Sequence, residues 1–517
     1  MLTKIKQFVY NDKLQDVIEC IAKMMFLLYT MLSFNSVFYG HKVISYVMWP
    51  ALLLCAAAIG WRAIRYKKYY KMPGLIAVTA FVVSHGISSL LNFKYDFKSN
   101  IILGVYLVIF FFLFYIYPLG KEPAKVKTDF NVISIFFIIY CLVGSVASLI
   151  MFVNGYSSLT RVGFDNYEVV SGFRWGRLWG VFLEPTRGAL MMMVAIILLV
   201  YFVATTKKIA IKAALIIAMV PMYFYIIFSD SRTTFVSMFF AALAGIVAFL
   251  FTKQQKNIWR GVTNGVVCLV VALAIAASPL VAKNTYNDYV ENIKTAQSNS
   301  QTPSTPSTPS TPSTPSTPST PSTPSTPSTS STPSTPSTPS KPDKQPVDLP
   351  EIDRNYNLSG DISNRRFDIW MSGFEMFAKN PIFGYSYNGI RPYAMEKMPE
   401  TYIVNNDQTL FSNFHNEVIN VLGAQGIVGF AIFIFLIVVV LIVIFKNVKY
   451  IKGQDRIVFA VMLAVVFGLA AGAMFGSLMF YMCTAATPMF WLCLGYMVYT
   501  LKNAKAKTEM SETASDE

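Results

Sequence analysis

GIVGFAIFIFLIVVVLIVIF, residues 426–445, decides the fold class. The run holds no charged side chain and ends at Lys446. As a helix it rises about 30 Å, the hydrocarbon thickness of a bilayer. Stretches of the same character occur at about 17–38, 43–61, 74–92, 100–118, 130–153, 188–204, 209–228, 232–251, 260–281, 457–480 and 484–501. The composition agrees: hydrophobic residues are 54% and charged residues 14% of the 517, against about 25% charged in soluble domains. The expectation is an all-α polytopic membrane protein with about 12 transmembrane helices and a large extracytoplasmic loop containing an amphipathic helix.

That pattern divides the chain. Residues 1–281 hold the first nine expected spans, 282–425 the large loop, 426–501 the last three spans, and 502–517 a cytoplasmic tail. The first span is the weakest, because Glu19 and Lys23 lie inside it. One helical turn apart, they are expected to pair with each other or snorkel. A basic N-terminus before an apolar run resembles a signal peptide. Without a clear small-residue cleavage site, it reads as a retained helix.

The net charge of +15 is an orientation signal. Of 43 Lys and Arg, 24 fall in the loops that share a side with both termini. The opposite short loops hold 8, and another 10 lie in the long loop, which the positive-inside rule discounts. Both termini are therefore expected in the cytoplasm, in the cytoplasmic (inner) membrane, with the basic side facing anionic lipid and no nucleic-acid partner. The six cysteines all lie in apolar segments, without metal or redox spacing, and there are only three histidines. Disulfide scaffolds and zinc sites are not expected, and no cofactor is.

Two segments on the outer side are long, 154–187 and 282–425. Within the second, residues 302–340 are thirteen triplets, all Thr-Pro-Ser except Thr-Ser-Ser at 329–331. Proline at every third position favours extended chain, reaching on the order of 120 Å. It reads as a disordered, solvated spacer without fixed geometry. Residues 363–378, SNRRFDIWMSGFEMFA, place Phe367, Trp370, Phe374 and Phe377 at helical spacing, with Ser363 as the expected cap. This predicts an amphipathic helix at the outer interface or the mouth of the bundle. Residues 412–425 then form a re-entrant segment led by His415, with a glycine-rich break between Gly423 and Gly429.

Basic groups gather on the outer side. Arg232 follows Ser229-Asp230-Ser231 at a short loop; Arg366 lies on the amphipathic helix; Arg174, Arg177 and Arg187 flank the sixth span. Guanidinium forks match phosphate oxygens and stay charged. An imidazole with a pKa near 6.5 is suited to take a proton from a hydroxyl. Together they suit transfer from a lipid-linked phosphate. Each has a plainer reading: an interfacial arginine meeting lipid headgroups or a nearby acid, as Arg232 with Asp230, His415 bonded to its own turn, Glu184 and Glu417 as helix-start acids or solvated partners, His85 in the core, and His41 in a loop. No Asp-x-Asp pair and no Gly-x-x-x-x-Gly-Lys motif is present, which disfavours metal-dependent lipid-sugar transferases and ATP-driven engines.

At these residues the chain resembles the O-antigen polymerase/ligase superfamily of bacterial envelope enzymes. Four stretches carry the likeness: RLWGVFLEPTRGAL (177–190), SDSRTTFVSM (229–238), NRRFDIWMSGFEMFAKNPIFGYSYNGI (364–390) and FHNEVINVLGAQGIVGF (414–430). It covers roughly 180–500. The resemblance implies metal-independent joining of glycans from undecaprenyl-diphosphate donors outside the cytoplasmic membrane. It implies catalytic roles for His415, which activates the acceptor hydroxyl, and Arg232, which binds diphosphate. Arg366, four residues before Trp370, joins Arg187, Arg177, Trp370 and Glu184 as expected substrate-binding residues. Thr186-Arg187 stands where the family commonly has asparagine after the Glu-Pro-type turn.

The preferred expectation is a polysaccharide polymerase acting on lipid-linked repeat units of O-antigen, capsule or exopolysaccharide. Its partners would be the undecaprenyl-diphosphate oligosaccharide, the bilayer and a chain-length regulator. The alternative within the same chemistry is a ligase moving finished glycan to a lipid, protein or wall acceptor. A transporter or flippase of lipid-linked sugar would need polar groups deep in several spans and internal repeats. The fourth, tenth and twelfth spans carry almost none of the former, and no span repeat is visible.

Overall fold

The computed structural model describes residues 11–162, 167–252, 258–300, 350–353, 365–406 and 410–513. The Thr-Pro-Ser repeat and Ser363 lie outside them. The chain separates into two units, Met1–Thr285 with Ile352–Glu517, and Tyr286–Glu351. The helical bundle and the candidate site belong to the first.

Helices dominate. Among the described residues nine are long and apolar enough to cross a membrane. They are α2 (Lys42–Ile64), α4 (Phe97–Ile109, extended by a π turn over Phe110–Tyr115), α5 (Pro123–Val153), α6 (Pro185–Thr205), α7 (Ile209–Ser229), α8 (Arg232–Phe251), α9 (Ile258–Ser300), α12 (Glu417–Asn447) and α13 (Asp455–Ala473). The shorter apolar helix α3 (Leu75–Leu91), with α1 (Asp12–Ser33) and α14 (Ala486–Thr513), occupies the other three expected spans. Two boundaries differ most from the sequence reading. α9 runs far beyond residue 281, and α14 continues to Thr513, through most of the expected tail.

The charges in α1 also behave differently from expectation. Glu19 and Lys23 do not pair with each other. Glu19 bonds Arg62 of α2, and Lys23 bonds Asp129 of α5 at 2.6 Å. Glu19, Lys23 and Arg62 are all buried. These pairs tie three helices together, and leaving one member alone would strand a buried charge. Elsewhere small residues let backbones approach. α8 lies along α13 with Gly468 against Ala241, Gly245 against Ala464 and Gly472 against Ser237.

The segment 154–187, one of the two long segments expected outside, contains an antiparallel sheet of β1 (Ser157–Val162), β2 (Tyr167–Arg174) and β3 (Arg177–Gly180). Trp175 and Gly176 both take positive φ between β2 and β3, as a two-residue hairpin turn requires. After β3 the chain runs beside the end of α1. Ser36 N–H donates to the Val181 carbonyl at 2.8 Å, and Leu183 N–H donates to that of Phe34 at 3.2 Å. Pro185 then opens α6 at a position that needs no N–H donor.

The expected amphipathic helix exists as α10 (Arg366–Lys379), followed by the short α11 (Ile390–Lys397). Its docked face is not the aromatic one. Ile369, Ser372, Gly373 and Met376 are buried, with Gly373 against Ile419 and Phe414. Phe367 and Phe374 are exposed.

α12 breaks where the glycines suggested. Gly426 has φ 63° and ψ −159° inside an otherwise helical run. The interrupted peptide groups are satisfied by the turn after α10. Tyr385 and Ser386 donate to the carbonyls of Gly423 and Ala424 at 2.8 and 2.9 Å; Ile427 donates to Pro381 O at 2.7 Å. Ser88 of α3 adds a bond to Ala424 O at 2.7 Å. A Cβ at Gly426 would collide with the Ile382 carbonyl on backbone that β-branched residues avoid. Gly426→Val is therefore expected to destabilise the bundle by about 2 kcal/mol or more, read as a lower thermal midpoint in detergent. Gly265→Ala, where nothing lies within 4 Å, is expected to leave it unchanged.

Candidate active site

One polar cavity of about 860 Å³ forms at the end of the bundle that the charge pattern assigns to the outside. Helix ends surround it. Ser33 and Phe34 close α1, Glu184 to Leu190 open α6, Thr233 lies in the first turn of α8, Arg366 starts α10, and Gly472 lies near the end of α13. His415 enters from the segment before α12. The size suits a sugar diphosphate head better than a single ion.

The local sequence around His415 fixes it tightly. Its backbone takes φ +49°, a conformation that a residue other than glycine adopts only when its surroundings impose it. The asparagines of NFHNEVIN (413–420) do so. Asn413 Oδ1 accepts the His415 N–H at 2.9 Å, and Asn420 Oδ1 accepts that of Phe414 at 2.8 Å. Asn416 caps α12 by accepting from Val418 at 2.9 Å and Ile419 at 3.3 Å. The imidazole packs edge-on to Phe411, 5.7 Å between centroids. Neither ring nitrogen makes a hydrogen bond among the described residues. Burial lowers the His415 pKa to about 4, with Glu184 opposing and Arg187 and Arg366 reinforcing the shift. The ring is therefore neutral and able to accept a proton at neutral pH.

The arginines differ from one another. Arg187 gives Nε to Glu184 at 2.8 Å, and its terminal nitrogens have no protein partner among the described residues. Arg177 gives Nε to the Ser229 carbonyl at 2.8 Å and Nη2 to Thr186 Oγ1 at 3.3 Å, joining β3 to the ends of α7 and α6. Arg366 lies over the Phe475 ring at 5.6 Å. Thus His415, Arg366, Arg187, Arg177 and Glu184 come together as cavity lining. Arg232 and Trp370 are not part of that lining. Arg232 is exposed, one residue before Thr233, and Asp230 bonds Lys283 at 3.3 Å instead of Arg232. The Trp370 indole nitrogen is enclosed without a hydrogen bond.

Other features escaped the sequence reading. Tyr39, Trp179, Phe411 and Phe475 supply aromatic surface to the cavity, suited to the apolar faces of sugars. Glu417 is buried, not solvated. The crowding of asparagines around His415 was the available signal for its supporting network. Of the bland alternatives, His85 is buried and bonds the Asn100 carbonyl at 2.9 Å, and His41 is exposed at the start of α2.

Residues 217–434 match the family model described as O-antigen ligase, which supports the O-antigen polymerase/ligase superfamily. The match contains Arg232, Arg366, Trp370 and His415. No curated protein matches the chain.

The lowered His415 pKa has a pH signature. Its stabilising contribution is full above about 6.5 and is lost as pH falls toward 4, because the unfolded imidazole protonates first. In the free protein the base form persists to about pH 4. The acid limb of kcat/KM assigned to His415 is thus expected near 4, and a limb centred on 6.5 would contradict a half-buried, neutral ring.

Proposed function

From the support for a superfamily of membrane glycosyltransferase-like enzymes, we propose that this protein transfers glycan from an undecaprenyl-diphosphate donor to a hydroxyl acceptor, on the outer face of the cytoplasmic membrane. The polymerase reading is preferred: the acceptor is a sugar of the next lipid-linked repeat unit. The observation that supports this chemistry is one cavity lined by three guanidinium groups and an imidazole that makes no hydrogen bond among the described residues.

In this reading, His415 takes the proton of the acceptor hydroxyl as its oxygen attacks the anomeric carbon. The carbon–oxygen bond to the diphosphate breaks, and the electron pair leaves with the phosphate oxygen. Arg187 and Arg366 hold that growing negative charge from inside the cavity, where such contacts are stronger than in water. Arg177 keeps β3 fixed to the ends of α6 and α7 and adds positive potential. Arg232, exposed next to Thr233, binds the diphosphate as it enters, through its two-point fork. Guanidinium groups thus take the place that a divalent cation has in other diphosphate-using transferases. Glu184 orients Arg187, and Trp370 supports the helix that carries Arg366.

A ligase is the second reading, favoured by the description of the matching family model. Purified protein given a single lipid-linked repeat unit separates the two: a polymerase builds a ladder, whereas a ligase builds none until a separate acceptor is added. In either assay His415→Ala is expected to lose activity about 100-fold or more while membrane insertion stays normal. Full activity in that variant would reject the general-base role. Arg232→Lys is expected to weaken transfer, since an ammonium lacks the two-point fork.

A further inference from the structure

The chemistry above leaves one buried acidic side chain without a task. Glu417 is 1% exposed and makes no ion pair among the described residues. Its two oxygens instead accept backbone N–H groups, Leu478 at 2.8 Å and Phe480 at 2.9 Å. A buried carboxyl group is tolerated only when so bonded, and two such bonds to one short backbone segment fix its position relative to the start of α12.

The bonded segment is the irregular connection from α13 to α14. Two neighbours of Glu417 reach the same connection. Asn416 donates to the Met474 carbonyl at 3.1 Å, and Asn420 donates to Ser477 Oγ at 2.7 Å. This connection also forms cavity wall: Phe475, Gly476, Leu478, Met482, Cys483 and Thr484 all line the cavity that holds His415. Two walls of the cavity are therefore joined by side chains from one short stretch, 416–420.

We infer that Glu417 is a positioning residue. By clamping the backbone at 478–480 it sets the spacing between the His415 imidazole and the α13–α14 wall, and so holds donor and acceptor in reacting geometry without touching either. This rests on the glycosyl-transfer reading of the cavity. The argument is geometric: the carboxylate follows the imidazole by two residues, and everything it bonds belongs to the facing segment.

Cys483 is a built-in reporter. It lines the cavity, and burial raises its thiol pKa well above the usual range, so it should alkylate slowly in the wild type. The experiment compares wild type, Glu417→Gln and Glu417→Asp in membranes. N-ethylmaleimide labelling is read by peptide-resolved mass spectrometry, with Cys20 as reference. Turnover is measured with the undecaprenyl-diphosphate-linked repeat unit extracted from producing cells. Glu417→Gln turns an amide N–H toward a backbone N–H. Cys483 labelling is expected to rise about tenfold with Cys20 unchanged. kcat should fall about tenfold to a hundredfold at unchanged KM. Glu417→Asp, one methylene shorter, is expected to lie between, and carries the test if the glutamine variant fails to insert. Unaltered Cys483 labelling overturns the clamp, and faster labelling with full kcat overturns the positioning role. Wild-type protein that labels slowly but transfers no sugar would overturn the glycosyl-transfer reading, and with it the catalytic half of this inference, while leaving the clamp standing.

Discussion

A peptide group in an apolar environment must find a hydrogen-bond partner, and α12 breaks at Gly426 within the most apolar stretch of the chain. That conflict organises the structure. The carbonyls of Gly423 and Ala424 and the N–H of Ile427 cannot be satisfied within the helix, so the turn 381–386 docks there and satisfies them. Backbone of this kind is tolerated at membrane depth only when protein covers it. The docked turn immediately follows α10, so it also fixes α10 against the first turns of α12. Arg366 at the start of one helix and His415 just before the other thereby reach one cavity.

Buried charge follows the same logic at the other end of the bundle. Glu19, Lys23 and Arg62 pair between helices instead of along one helix. Each pair is costly to desolvate but more costly to break, so such contacts specify which helices are neighbours more than they add stability. The small-residue seam of α8 and α13 has the complementary role, bringing backbones close where no polar contact is needed.

The site shows how support and chemistry are divided. His415 has a positive-φ backbone and, among the described residues, a ring free of hydrogen bonds, while the asparagines around it carry the hydrogen-bond network. Arg187 has its Nε tied to Glu184 and, among the described residues, its terminal nitrogens without protein partners, whereas Arg177 is tied to backbone and hydroxyl groups. Neighbouring residues thus hold His415 and Arg187 in place where both line the cavity.

The sequence by itself determined the helical membrane class, most span positions, the break near Gly426 and the candidate residues His415, Arg366, Arg187, Arg177 and Glu184. Those features are local: apolar run length, glycine spacing and residue chemistry suffice. It did not reveal the sheet at 157–180, because short strands in a polar connection carry no long period. Nor could it show which face of α10 docks. Spacing showed an aromatic stripe, but the complementary surface, with Gly373 against Ile419 and Phe414, belongs to another helix. Pairing was likewise decided only by tertiary structure. Lys23 finds Asp129, Asp230 finds Lys283 instead of Arg232, and Glu417 finds two backbone amides some sixty residues away, since partners far apart along a chain meet only once its helices have packed.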